Sequence, residues 1–281
     1  MIYIADHEID RLLLEDIAMG DITSRSLGLS RQPGVIQYTR RRGGRVSGVA
    51  IAARVLQKCG LTVDFQIDDG SDQPANTCLL RAYGRADALH QGWKVAQNIL
   101  EWCGGVADAM TRMLGAARSE NTEVQIACTR KSIPGTRLMA TQAILDGGGL
   151  IHRCGTAETV LLFANHRRFF PQPFDWKKHV AQLRRNAPEK KIVVEADSMD
   201  EMRAALAAQP DAIQCDKFSL QELRECCALV RQSGSSCLLL AAGGINGGNV
   251  AEFAATGVTV LVTSSPYYVK PADIEVLIAP E

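Results

Sequence analysis

The sequence predicts an α/β protein in which a parallel-stranded barrel follows a separate α+β domain. Three observations predict it. Short, unbroken apolar runs recur through the second half: VQIAC (124–128), TVLLFA (159–164), IVVEA (192–196), AIQCD (212–216), LLLAAG (238–243) and VTVLVTS (258–264). Helical patterns such as MDEMRAALAA and LQELRECCALV lie between most of them. The first 110 or so residues have a different, mixed texture. Strands covered on both faces read as continuous apolar runs, and their alternation with helices marks a parallel sheet. The spacing, about 20–35 residues per unit, suits βα repeats. Six such strands favour a closed or nearly closed barrel. A doubly wound open sheet stays open as the alternative, because strand count alone does not close a barrel.

The elements follow in order. Ile9, Leu12, Leu13 and Ile17 recur at helical spacing and predict a helix over 8–18, followed by a GDIT turn. Val35–Tyr38 is a predicted strand and Val49–Cys59 a helix. Val63–Ile67 and Thr77–Tyr83 are strands around the turn-rich DDGSDQP, and Asp87–Trp102 is a long helix. The expected boundaries are 1–110 for an N-terminal domain, 111–267 for the barrel, and 268–281 for a C-terminal segment returning to the N-terminal domain.

Composition narrows the function classes. The 281 residues carry 31 Lys+Arg against 31 Asp+Glu, so no net field draws the chain to nucleic acid or to an anionic membrane. Arg40-Arg41-Arg42, with Arg45 nearby, is a local basic cluster, expected to be a solvated turn. The N-terminus lacks the basic-then-apolar order of a signal peptide, and no apolar run approaches the roughly 18 residues of a membrane span. Nine scattered cysteines show no CxxC and no zinc spacing. Several, such as Cys128 and Cys215, sit in apolar runs where a free thiol acts as a small hydrophobe. A reducing cytoplasm is the expected location.

Most barrel runs end in a chemically useful residue. VQIAC leads into Thr129, Arg130 and Lys131; IVVEA carries Glu195; AIQCD ends in Asp216; LLLAAG leads into Gly243 and Gly244; VTVLVTS ends in Thr263 and Ser264, with Ser265 next. Ligands sit at the C-terminal ends of strands in barrels and doubly wound folds alike. Any one of these residues has a packing or capping explanation, such as an Asp that caps the next helix. The joint pattern does not.

Arginine suits bidentate contact with carboxylate or phosphate, and lysine acts as a point charge. Arg130 and Lys131 therefore place positive charge at the mouth. Gly147-Gly148-Gly149 precedes His152-Arg153, where His152 is a ligand contact or a structural histidine in equal measure. The loop Gly243–Gly248 and the run Thr263–Ser265 follow the last two strands, the usual place of a barrel phosphate site. Glu195 and Asp216 suit magnesium or sugar hydroxyls; the alternative is ion pairing with Arg130, Lys131 or Arg153.

TRKSIPGTR (129–137), GGGLIHR (147–153), VEAD (194–197), AIQCD (212–216) and AAGGI (241–245) occur in an order that resembles the nicotinate-nucleotide pyrophosphorylase (quinolinate phosphoribosyltransferase) family. LEDIAMGDIT (14–23) and WKVAQNILEWCGGVAD (93–108) extend the resemblance over nearly the whole chain. The TRKxxPG and GGGxxHR pair is specific; AAGGI is not. The resemblance implies an incomplete α/β (TIM-like) barrel with an N-terminal α+β sandwich domain, in a homodimer (or hexamer) that shares its active sites. It also implies a phosphoribosyltransferase that uses phosphoribosyl pyrophosphate, Mg2+ and a pyridine dicarboxylate, with decarboxylation after transfer.

Carried over by position, Arg130, His152 and Arg153 would contact the acidic base, and Lys131 would lie near the phosphates. Glu195 and Asp216 would hold ribose hydroxyls and metal and stabilise an oxocarbenium-like transition state. Gly243 and Gly244, with Ser264 beside them, would cradle the 5′-phosphate. Lys94 falls where the family has an arginine reaching into the neighbouring subunit's site.

The chain also departs from the family. LIKDNH reads LLFANH, so Phe163 replaces a substrate-contacting lysine. Ala242 replaces the serine of ASGGI, Thr141 a helix lysine, and WKVAQN (93–98) the ERxALN motif. These changes resemble the ModD-type pyrophosphorylase branch associated with molybdenum transport. They imply a changed acceptor base beside a retained phosphoribosyl half-site. Two other readings compete: a non-catalytic ligand-binding or regulatory protein linked to molybdenum transport, and an aldolase-like barrel using Lys131 as a Schiff-base lysine.

Overall fold

A computed structural model describes residues 2–281. The chain divides into two compact units. One takes the chain through Thr111 together with Ile133–Gly148 and Pro266–Glu281; the other comprises Arg112–Ser132 and Gly149–Ser265.

The first unit begins with α1 (Asp6–Ile17), which buries Ile9 and Leu13 as its spacing predicts. Asp21 of the GDIT turn caps α2 (Ile22–Ser26), accepting from the Thr23 and Ser24 amides. β1 (Pro33–Arg40) buries every second residue. β2 (Gly44–Arg45), α3 (Val49–Lys58), β3 (Thr62–Gln66), β4 (Asp72–Gln73) and β5 (Thr77–Arg85) follow. One antiparallel sheet has the order C-terminal strand–β1–β5–β3, and β2 pairs with β4 in a small ribbon. The C-terminal strand is Ile274–Pro280, antiparallel to β1, with Ile36 opposite Ile278.

Two expectations fail in this unit. The helix expected over Asp87–Trp102 is α4 (Ala86–Arg118), 33 residues long. Gly104-Gly105 interrupts the pattern but not the helix. Another segment packs closely there: a Cβ on Gly105 would lie 2.7 Å from the Lys270 carbonyl oxygen. Arg40, expected in a solvated turn, is 2% exposed. It ion-pairs with Asp108 and donates to the carbonyls of Arg42 and Arg45. A buried guanidinium needs this pairing and hydrogen bonding to offset its lost hydration.

The second unit holds a parallel sheet. Its strands are β6 (Gln125–Cys128), β7 (Leu150–Ile151), β8 (Val160–Leu162), β9 (Ile192–Ala196), β10 (Ala212–Asp216), β11 (Leu238–Ala242) and β12 (Val260–Thr263). The sheet order is β7-β6-β12-β11-β10-β9-β8. Sequence neighbours stay neighbours around the sheet, and the last strand returns to pair with the first. That is the winding of a barrel; a doubly wound sheet reverses direction partway. The two end strands, β7 and β8, are not paired with each other, so the barrel is incomplete. The strands number seven rather than six. β7 has two residues, too few for any periodicity to show, and lies inside GGGLIHR.

Period-2 alternation sorts the side chains. Val193, Ala212, Leu240, Ala242 and Val262 form one inner apolar cluster. Ile192, Val194, Ile213 and Leu239 occupy the opposite face and are buried as well. All nine cysteines are free thiols, and six of them, including Cys128 and Cys215, are buried.

Candidate active site

The same alternation carries polar side chains onto the inner face. In β9, Glu195 lies two residues beyond Val193; in β10, Gln214 and Asp216 continue from Ala212. Parallel register sets Gln214 opposite Glu195 and Asp216 opposite Ala242. These residues border a cavity of about 610 Å³. Its lining includes Arg130, Lys131, His152, Arg153, Phe163, Glu195, Asp216, Gly243, Gly244 and Ser264, every expected site residue except Lys94. Lys94 lies on α4 in the other unit. Its Nζ is 4.4 Å from the Trp93 ring centroid and donates to Gln97 at 2.8 Å.

Backbone geometry holds the loops. The Thr129 amide donates to the Thr263 carbonyl at 2.9 Å, and Thr129 Oγ1 accepts from the Lys131 amide at 3.1 Å. The His152 amide donates to the Cys128 carbonyl at 2.9 Å, so β7 brings His152 and Arg153 beside the loop after β6. Thr263 Oγ1 donates to the Ile245 carbonyl at 2.7 Å and accepts from the Ser265 amide at 3.0 Å, tying the last two loops together. In the glycine loop, Asn246 and Asn249 both donate to the Gly244 carbonyl. The helix after it, Val250–Ala254, has only five residues, so it adds little dipole at this loop.

Charge is divided across the cavity. Arg130 lies close enough to Arg153 to oppose its charge. Burial first, then Arg130, pulls Arg153 below the usual arginine range. Burial, then Arg153, lowers His152 below the ordinary histidine value, which favours the neutral imidazole. Burial raises Glu195 above the usual glutamate range, with Asp216 and Asp197 adding to it, while the hydrogen bond from Gln214 opposes the rise. Glu195 accepts from Gln214 at 2.7 Å, and Asp216 pairs with Lys217 at 3.2 Å.

Phe163 directly follows β8 and meets His166 edge-on, with ring centroids 4.2 Å apart. Gln214 and Lys217 are the residues that sequence reasoning passed over. Gln214 sits within an apolar run, and only strand parity marks it as inward-facing. Among the described residues, no group of three or more His, Cys, Asp or Glu side chains is arranged to hold a metal.

A family model described as "Quinolinate phosphoribosyl transferase, N-terminal domain" matches residues 21–104, and one described as "Quinolinate phosphoribosyl transferase, C-terminal domain" matches residues 106–277. The chain belongs to the quinolinate phosphoribosyl transferase family. Within this family, it is 51% identical to the "Putative pyrophosphorylase ModD" of Escherichia coli O6:H1, over 100% of this chain and 99% of that one. It is 29% identical to the "Probable nicotinate-nucleotide pyrophosphorylase [carboxylating]" of Synechocystis, over 94% and 88%. The nicotinate-nucleotide pyrophosphorylase structure from Francisella tularensis superposes with a TM-score of 0.89 at 24% identity, covering 99% of this chain and 98% of that one. That last likeness bears on the fold, and it matches the incomplete barrel and separate antiparallel sheet. The family and its ModD branch are thus those the motifs indicated. Among the described residues, no helix is long and apolar enough to cross a membrane.

Proposed function

We propose that this protein is a phosphoribosyltransferase that moves the phosphoribosyl group from phosphoribosyl pyrophosphate to an aromatic, carboxylated base, with a base specificity altered from that of quinolinate. One observation carries this reading: a single cavity is lined by Arg130, Lys131 and Arg153, by the carboxylates Glu195 and Asp216, and by the loops after the last two strands. Substrate and leaving group are both anions, while the ribose turns cationic as its bond to pyrophosphate breaks. A site for this reaction needs both signs of charge, held at different places.

Each residue then has a role. Glu195 and Asp216 face the ribose and stabilise the oxocarbenium-like charge electrostatically. Lys131 lies near the phosphates. The backbone of Gly243 and Gly244, with Ser264, takes the 5′-phosphate. Arg130, Arg153 and neutral His152 receive the carboxylated base. Phe163 presents an aromatic edge where the family's lysine would present a charge, which favours an acceptor less anionic than a pyridine dicarboxylate. Lys94 enters the site of a second copy, in a homodimer or hexamer.

Magnesium commonly takes one or two carboxylates and completes its shell with substrate phosphates. Glu195 and Asp216 fit that pattern, and the buried, unpartnered Gln214 Oε1 is a further oxygen donor beside them. When bound, the ion would neutralise the departing pyrophosphate.

Incubation with phosphoribosyl pyrophosphate, Mg2+ and a panel of aromatic acids should release pyrophosphate with at least one acid, and Glu195→Ala should abolish that release. No release across a broad panel overturns the reading. Thermal stabilisation by phosphoribosyl pyrophosphate without turnover would then favour a ligand-binding protein.

A further inference from the structure

Lys217 is one of three non-glycine residues in the left-handed region among the described residues, with φ 59°. Lysine rarely adopts this conformation; glycine and asparagine do so readily. The surrounding backbone is built to hold it there. The Lys217 amide donates to the Ala242 carbonyl at 2.7 Å. The next residue of that strand end, Gly243, has φ +98°, and a Cβ on it would lie 2.8 Å from Lys217 N and 2.6 Å from its Cγ. A glycine or asparagine at 217 would make the same backbone hydrogen bond with less strain, so the backbone alone does not call for lysine. Backbone strain concentrates at functional sites, which directs attention to the side chain.

That side chain borders the cavity. Its Nζ lies 3.2 Å from Asp216 Oδ2, and its charge is felt by Glu195 as well. An exposed pair between sequence neighbours adds little stability, so the pairing does not account for the strain either. The pairing does place a compact cation on one of the two carboxylates that a magnesium ion would use.

We propose that Lys217 is a built-in cation of this site: its ammonium, held by Asp216, meets the pyrophosphate and supplies charge neutralisation that a carboxylate-held magnesium would otherwise supply, making substrate binding largely independent of divalent metal. The inference rests on the phosphoribosyl reading above. Lysine serves phosphate as a mobile point charge, which suits a pyrophosphate that must both bind and leave.

Calorimetric titration of phosphoribosyl pyrophosphate into the full-length protein, in Mg2+ and in EDTA, tests it. The wild type should bind within about threefold of the same affinity in both. Lys217→Asn and Lys217→Gly, both suited to the left-handed backbone, should bind about tenfold or more weakly in EDTA and recover in Mg2+, the effect expected for one charge-assisted contact. Lys217→Arg should keep the wild-type pattern. A merely structural lysine would not alter the metal dependence. The inference falls if wild-type affinity collapses in EDTA, or if the neutral variants respond to Mg2+ as the wild type does. Absence of binding under every condition overturns the phosphoribosyl reading, and this inference with it.

Discussion

Gln214 Nε2 donates to Glu195 Oε2 at 2.7 Å across adjacent parallel strands, while Gln214 Oε1 stays buried without a partner. The donated bond favours the charged carboxylate and opposes the upward push of burial and of Asp216 and Asp197. Gln214→Ala should therefore raise Glu195 further. If the ionised carboxylate is the active form, the acid limb of the pH profile of kcat/KM should move to higher pH, with a loss of about tenfold at neutral pH for one charged hydrogen bond. An unmoved acid limb would show that Gln214 does not govern Glu195.

Glu195 makes a second prediction, about stability. Its folded-state pKa lies above the ordinary value, so the folded protein binds this proton more tightly than the unfolded chain. The resulting stabilisation is present in acid, below the ordinary glutamate range, and is lost as pH rises through the raised folded value. At neutral pH the ionised side chain thus burdens the fold. Glu195→Gln should melt at higher temperature than the wild type at pH 7, with the margin shrinking toward pH 4. The same variant should lose turnover by about a hundredfold or more, as sites that stabilise transition-state charge do. Differential scanning calorimetry across pH checks the first part, and pyrophosphate release the second.

What the sequence showed of this fold follows physical signal strength. Unbroken runs such as IVVEA and AIQCD announce strands covered on both faces, and Glu195 and Asp216 at their ends line the cavity. β7 was hidden because Leu150–Ile151 is too short to carry a period. The extension of α4 was hidden because Gly104-Gly105 resembles a break, and the close approach of Ala272 and Arg40 to Gly104 and of Lys270 and Pro271 to Gly105 explains those residues. Arg40 looked solvated because its partner, Asp108, lies 68 residues away. Lys217 left no trace because a left-handed φ at a lysine has no sequence signature. The cluster at the strand ends was legible because strand parity and end position follow from local pattern alone.

Gly243 and Gly244 look equivalent in sequence but differ in surroundings. A Cβ at Gly243 would strike Lys217, whereas Gly244, at φ +73°, has nothing within 4 Å of the same atom. Gly244→Ala should cost about 1 kcal/mol, the strain of a left-handed alanine. Gly243→Ala adds a backbone clash and should cost about 2–3 kcal/mol. It should also displace Lys217. Urea denaturation ranks the two, and equal midpoints would contradict the packing described for Gly243.

Phe163 offers the most direct test of the proposed base half of the site. It lines the cavity that also holds Arg130, His152 and Arg153, and its ring meets His166 edge-on. Lysine here would add positive charge to a region where Arg130 already lowers the proton affinity of Arg153. That crowding of like charge is tolerable only when an anion arrives to share it. A pyridine dicarboxylate brings two negative charges, and a singly carboxylated ring brings one. Phe163→Lys should therefore raise kcat/KM for quinolinate by about tenfold or more, the effect of one charge contact, and lower it for whichever acid the wild type prefers. Phe163→Leu, which removes the ring without adding charge, should lose the preferred acid and gain nothing with quinolinate. If both variants treat quinolinate alike, the charge at position 163 is not what sets the choice of base.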